Sequence, residues 1–194
     1  MRVLTHVCCA PCFGAPLEEM RREGIVVTGY FYNPNIHPLL EFRRRLKALK
    51  VMQQALKMDM IWDERYGLMD FLREVLDRAE PRCERCWNLR LTETARLAKE
   101  QGFDAFSTTL LISGHQDHQA VRRIAQEAAD RFGVSFLYRD FRPLRDRSHE
   151  MAKKLMLYRQ QYCGCIFSEY ERYKDTTREI FRSEGNRKPK PHEE

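Results

Sequence analysis

The sequence predicts an α/β fold, a Rossmann-like open parallel sheet with helices on both faces and a C-terminal helical cap. Three observations carry this. Short runs rich in β-branched and aromatic residues alternate with longer stretches whose apolar residues recur at helical spacing. The switches between the two fall at glycine, proline and asparagine. At 194 residues, 43% of them hydrophobic, the chain can bury one core.

RVLTHV (residues 2–7) suits a buried first strand that runs into a cysteine loop. Ala15 to Glu23 reads as the first helix, closed by Gly24, and IVVTGYFY (25–32) as the second strand, ending at Asn33-Pro34-Asn35. Phe42, Leu46, Leu49, Met52 and Leu56 form the next helical stripe, with Arg43, Arg44, Arg45, Lys47 and Lys50 interleaved. A strand at Met60–Trp62 precedes a helix marked by Leu68, Leu72, Val75, Leu76 and Ala79, which Pro81 terminates. Trp87, Leu91, Ala95 and Ala98 define a helix with Cys83 and Cys86 at its N-terminal edge. FDAFSTTLLIS (103–113) predicts a buried strand with its loop, Val121 to Phe132 a helix, and VSFLYRDF (134–141) the last strand. Beyond Ser148 the pattern turns helical, with His149–Tyr158, then CGC, then Tyr170, Tyr173 and Ile180. The expected organisation is residues 1–147 as the α/β core with the cysteine loops, 148–184 as a helical cap carrying the CGC pair, and 185–194 as a flexible tail without apolar content.

Composition narrows the function classes. No stretch reads as a membrane span or a secretory signal, so a reducing, cytoplasmic setting with no membrane partner is expected. There, a disulfide framework is disfavoured, the more so because the cysteines number seven. The 34 Lys and Arg against 28 Asp and Glu give a net charge of +6, which accommodates RNA without requiring it.

The cysteines are grouped rather than scattered: Cys8, Cys9 and Cys12 in CCAPC, Cys83 and Cys86 in CERC, Cys163 and Cys165 in CGC. Clustered soft thiolates suit an iron–sulfur cluster, a zinc ion or a dithiol couple. CCAPC begins where the first strand ends, the side of an open α/β sheet on which ligands bind. Adjacent side chains of a regular strand face opposite ways, so Cys8 and Cys9 need an irregular loop to converge. In CERC the spacing of three puts both sulfurs on one helical face, at a terminus that favours thiolates. Two sulfurs from each group would give four ligands, enough for an iron–sulfur cubane or a structural zinc. CGC has a glycine between its sulfurs, which suits a labile disulfide used in redox exchange, or reserve metal ligation.

Around these groups, His6 reads as a core histidine, and His115 and His118 as a solvated helix start. Arg43–Lys50 reads as a solvated face, with RNA phosphate contact as its functional alternative. Tyr30, Phe31 and Tyr32 are strand and core residues. Asn33, Asn35 and His37, in the loop at the strand's end, are candidates for the substrate pocket together with Arg43.

Five blocks in order, THVCCAPC, FYNPNIHP, RCERCWNLRL, FSTTLLIS and YRQQYCGCIFSEYER, resemble the cobalamin-independent epoxyqueuosine reductases across residues 5–172. The resemblance implies the last step of queuosine synthesis in tRNA, two-electron reduction of the epoxide of epoxyqueuosine at the anticodon wobble position. It also implies a 4Fe-4S cluster, no cobalamin, and an additional iron near the cluster. By that resemblance the cluster ligands fall on Cys8, Cys9, Cys83 and Cys86, and the redox-active pair on Cys163 and Cys165. Cys12 either holds the second iron or exchanges roles with a CCAPC neighbour. The partners implied are epoxyqueuosine tRNA and an electron donor whose identity the sequence does not give. Arg43, Arg44, Arg45, Arg142 and Arg145 are the candidates for phosphate contact, and Ser113–His115 is expected to be a variable segment without a central role. A zinc-stabilised RNA-binding module and a tRNA thiolation-type enzyme are the alternatives. The second is disfavoured because the first strand ends in CCAPC and not in a glycine-rich phosphate cradle.

Overall fold

A computed structural model describes residues 1–76 and 81–176. Five strands, β1 (Arg2–His6), β2 (Val26–Phe31), β3 (Asp59–Trp62), β4 (Ala105–Thr108) and β5 (Ser135–Phe136), form one all-parallel sheet in the order β3-β2-β1-β4-β5. The chain winds outward from β1 to β3, then returns to the other side of β1 for β4 and β5. With right-handed crossovers, that reversal puts the connecting helices on opposite faces. The switch point therefore lies between β1 and β4, where His6 stands opposite Tyr30 of β2 and Thr108 of β4.

The helices are α1 (Gly14–Arg22), α2 (Leu39–Leu56), α3 (Leu68–Val75), α4 (Arg82–Glu100), α5 (His118–Phe132), α6 (Arg145–Lys154) and α7 (Ile166–Tyr173). On one face α4 packs on β1, β4 and α5, while on the other α1 packs on β2 and α6. Each follows from its stripe: Phe42, Leu49 and Met52 bury one side of α2, and Leu91, Ala95 and Ala98 one side of α4. Asp117 starts α5 by accepting from the backbone N–H of Gln119 and Ala120 at 2.9 and 3.0 Å. Val3, Leu4, Thr5 and His6 of the central strand are all fully buried, as expected for a strand covered on both faces. Among the described residues no helix is long and apolar enough to cross a membrane.

The last strand is shorter than predicted. After Ser135–Phe136 the segment stays beside its neighbour through Leu137 N–H to Phe106 O at 2.8 Å, then leaves the ladder. It is an edge strand with pairing on one side only, so apolar content alone does not prolong it. Helix α6 starts at Arg145 and so crosses the expected boundary at 147/148. It packs on α1, where Ser148 Oγ accepts from Ala15 N–H at 3.2 Å and Gly14 approaches Met151. Ala79, Ile180 and the expected tail at 185–194 lie outside the described residues.

Candidate metal and redox centre

The first cysteine loop is built at the switch point. Past β1, Val7 N–H still donates to Tyr30 O at 2.8 Å, and Asn33 Nδ2 donates to Val7 O at 2.9 Å. Cys8 N–H then donates to Thr109 Oγ1 at 3.0 Å, tying the loop to the residue just after β4. Cys9 is extended and the next residues, Ala10–Cys12, tighten into a 3₁₀ turn with Pro11 near its start. This is the irregular loop that two adjacent cysteines require, and it draws the sulfurs of Cys8, Cys9 and Cys12 within 4.8 Å of one another. Cys9 and Cys12 Sγ are 2.9 Å apart, and Cys8 and Cys9 Sγ 3.7 Å.

The surroundings of these sulfurs are donors. Thr109 Oγ1 donates to Cys8 Sγ at 3.3 Å, and Gln160 Nε2 to Cys9 and Cys12 Sγ at 2.9 and 3.7 Å. Hydrogen bonds from Cys12 and Cys9 hold the Cys8 thiol well below its usual range. Burial pushes Cys9 up, and the bonded Cys8 pushes Cys12 up. The triad is a soft donor set, and a metal bound there would displace the thiol protons. His6 stays neutral, pushed down to about 3 first by burial and then by Arg90. Its Nε2 lies 3.2 Å from the Tyr32 carbonyl and so carries the proton, leaving Nδ1 to accept from Thr108 Oγ1 at 3.0 Å.

The second group opens α4, immediately after Pro81. Cys83 is exposed, whereas Cys86 is buried in a small cluster with Phe71 and Cys165. Burial raises Cys86 to about 12, which outweighs the helix terminus expected to favour its thiolate. Among the described residues the compact sulfur group is Cys8, Cys9 and Cys12; Cys83 and Cys86 stand outside it.

The third group is clamped from below. Arg45 Nη1 donates to Cys163 O at 2.8 Å and Nη2 to Tyr162 O at 3.0 Å, while its Nε pairs with Glu41 at 2.7 Å. His37 N–H donates to Gly164 O at 2.7 Å, and Tyr162 Oη donates back to His37 O at 2.6 Å. Gly164 has φ +145°, and a Cβ there would lie 3.2 Å from Arg45 Nη1. Cys163 is exposed, with Gln116 Nε2 at 3.6 Å from its sulfur, whereas Cys165 is buried and caps α7 by accepting from Ser168 N–H at 3.4 Å.

The first and third groups meet at a cavity of about 510 Å³, whose walls include Cys12, Cys163, Gln116, His115, His149 and Arg145. The candidate residues fall in different places. Asn33, Asn35 and His37 do not line it; they are buried, and they brace the cysteine loops. Arg45 is also buried and cannot meet a phosphate at the rim. Arg43 lines a separate groove on α2 with Lys47 and Lys50, and Arg142 is engaged by Asp140 at 2.6 Å. Arg145 does reach the cavity. Ser113–His115, expected to vary without consequence, forms part of its wall. Sequence spacing gave no sign of Gln160 or His149. Arg90 stands at i+4 from Cys86, a signal that spacing does carry.

The family described as "Epoxyqueuosine reductase QueH" matches residues 3–171. A relative of that name from Dehalococcoides mccartyi is 38% identical over 172 residues, covering 89% of this chain and 94% of its own. One from Thermotoga maritima is 32% identical over 194 residues, covering 95% and 98%, and one from Histophilus somni is 33% identical, covering 86% and 72%. With the match spanning both the cysteine loops and the sheet that presents them, this chain belongs to the epoxyqueuosine reductase QueH family of oxidoreductases.

Proposed function

We propose that this protein reduces epoxyqueuosine in the anticodon of tRNA to queuosine. The balance is epoxide plus two electrons and two protons, giving alkene plus water. The observation that carries this reading is the cavity on which a thiol of the metal-ligating loop, Cys12, and a thiol of the CGC loop, Cys163, both open.

The donor chemistry fits a thiolate-bound metal group: three sulfurs within 4.8 Å, N–H and O–H donors aimed at them, and a buried cation nearby in Arg90. Cys8, Cys9, Cys83 and Cys86 are the proposed ligands of a 4Fe-4S cluster, and Cys12, the one of its triad on the cavity wall, of an adjacent iron. When bound, the cluster would supply electrons one at a time and the iron would act as a Lewis acid toward the epoxide oxygen, without cobalamin.

The chain's own residues do the rest. Cys163 and Cys165 passing from dithiol to disulfide release two electrons and two protons, the number one turnover consumes. An external electron donor then restores the dithiol. His115 and His149 are the imidazoles on the wall, placed to deliver protons to the leaving oxygen. Burial lowers His149 from its ordinary value, which makes it a readier proton donor when charged. The target base must leave its stack to enter the cavity, and Arg145 and Arg172 on the wall suit the flanking phosphates.

Anaerobic purification tests the site chemistry. A brown protein holding about four or more irons per chain is expected. A colourless zinc protein would replace the cluster with a structural site.

A further inference from the structure

Arg90 is the least explained side chain in the molecule. It lies on α4 one turn beyond Cys86 and is 1% exposed. Its Nε donates to Cys86 O at 3.0 Å, but its Nη2 is buried without any hydrogen-bond partner. Among the described residues the other fully buried arginine, Arg45, is paired with Glu41 at 2.7 Å. Among the described residues Arg90 has no carboxylate within ion-pairing distance. A guanidinium never gives up its proton in a protein, so a sealed, unpaired one must find its counter-charge by another route.

The groups placed to supply that charge are sulfurs. The Arg90 charge is felt by Cys86, Cys163 and Cys8, one member of each cysteine group, and by His6. His6 is neutral, with both ring nitrogens engaged by Thr108 and Tyr32. In the metal-free fold the Arg90 Nη2 has no hydrogen-bond partner and no carboxylate beside it among the described residues. Once the cysteines ligate a metal they are thiolates, and a cluster held by four of them is net anionic.

We propose that Arg90 is the buried counter-cation of the thiolate-bound metal group, a positioning residue whose fixed charge stabilises that group and favours its reduced state. The inference rests on reading the cysteines as metal ligands. It differs from an ordinary structural role in one respect: the buried Arg90 Nη2 is without a partner in the metal-free fold and gains a counter-charge when an anionic, thiolate-bound group is present.

The test uses the full chain with Arg90→Met, which keeps the length and removes the charge, and Arg90→Lys, which keeps the charge. Metal-free protein is unfolded in denaturant, and reconstituted protein is assayed for iron per chain and for midpoint potential. For Arg90→Met the metal-free fold should be as stable as wild type or more so. Its centre should favour the oxidised form at least tenfold more, a shift of about 59 mV or more to negative potential for one electron. Arg90→Lys should restore most of that potential. A metal-free Arg90→Met protein that is destabilised or fails to fold, or a centre whose potential does not move, overturns the proposal. Wild-type protein that takes up zinc in place of iron defeats the iron–sulfur reading separately. Arg90 is then judged by zinc affinity, which should fall at least tenfold in Arg90→Met, and an unchanged affinity overturns it. Wild-type protein that binds neither metal overturns both.

Discussion

Replacing Arg45 by methionine tests how the CGC loop is held. The guanidinium is 1% exposed and joins three things: the Glu41 carboxylate at 2.7 Å, the Cys163 carbonyl at 2.8 Å and the Tyr162 carbonyl at 3.0 Å. Without it Glu41 is a buried carboxylate left with the Tyr158 hydroxyl, and two backbone carbonyls lose a charged donor. Breaking a buried ion pair from one side costs about 3–5 kcal/mol, a large part of the ~5–15 kcal/mol that holds a domain of this kind folded. Urea unfolding of the metal-free protein should show a loss of that size. Glu41→Gln combined with Arg45→Met should lose less than the sum of the single changes by at least ~1 kcal/mol, because the double variant leaves no unpaired charge. A single Arg45→Met variant within ~1 kcal/mol of wild type would refute the buried clamp and return Arg45 to the solvated face that the sequence suggested.

Further outcomes follow from the same geometry. Gly164→Ala forces a side chain into a φ of +145°, 3.2 Å from Arg45 Nη1 and 3.3 Å from Asn35 Nδ2, so thermal unfolding should report a loss of ~1–3 kcal/mol; an unchanged midpoint would mean the loop is not tightly held. Replacing Cys163 and Cys165 with alanine should leave iron content intact and stall multiple turnover, whereas loss of iron would make them ligands. His37 is held neutral by burial, its value lowered from 6.5 to about 4. The unfolded chain therefore binds the extra proton first, and stability should fall as pH drops from 6.5 through about 4, by at most ~1.4 kcal/mol per pH unit; His37→Gln should flatten that slope in denaturant titrations at several pH values. Arg145→Gln should weaken tRNA binding and lower the slope of log affinity against log salt by about 1, as read by filter binding, and an unchanged slope would remove Arg145 from the RNA contact.

Much of the sheet was legible because a parallel sheet buried on both faces writes itself as apolar, β-branched runs, as in Val3–Thr5 and Val26–Phe31. The edge was not, since Leu137–Phe141 has the composition of a strand but only one neighbour to pair with. In the site, the cysteines announced themselves by spacing, and CCAPC converges as an irregular loop should. What spacing concealed was burial of charge. Arg45 belongs by helical periodicity to the stripe of Phe42, Leu49 and Met52, yet a run of basic residues reads as solvated unless its partner, Glu41 four residues earlier, is noticed. The polar residues of FYNPNIHP look like pocket lining but turn inward, because the loop's task is to tie Val7 and Gly164 in place. Gln160 and His149 could not be found from pattern, for they reach the cysteines and the cavity only through long-range packing of residues distant in sequence.

The most direct test of the account is nucleoside mass spectrometry of tRNA bearing epoxyqueuosine after incubation with anaerobically reconstituted protein and a reductant. The account predicts conversion of epoxyqueuosine to queuosine, lighter by one oxygen, that depends on both the metal centre and the reductant. Epoxyqueuosine left unchanged by protein with an intact iron centre would contradict it.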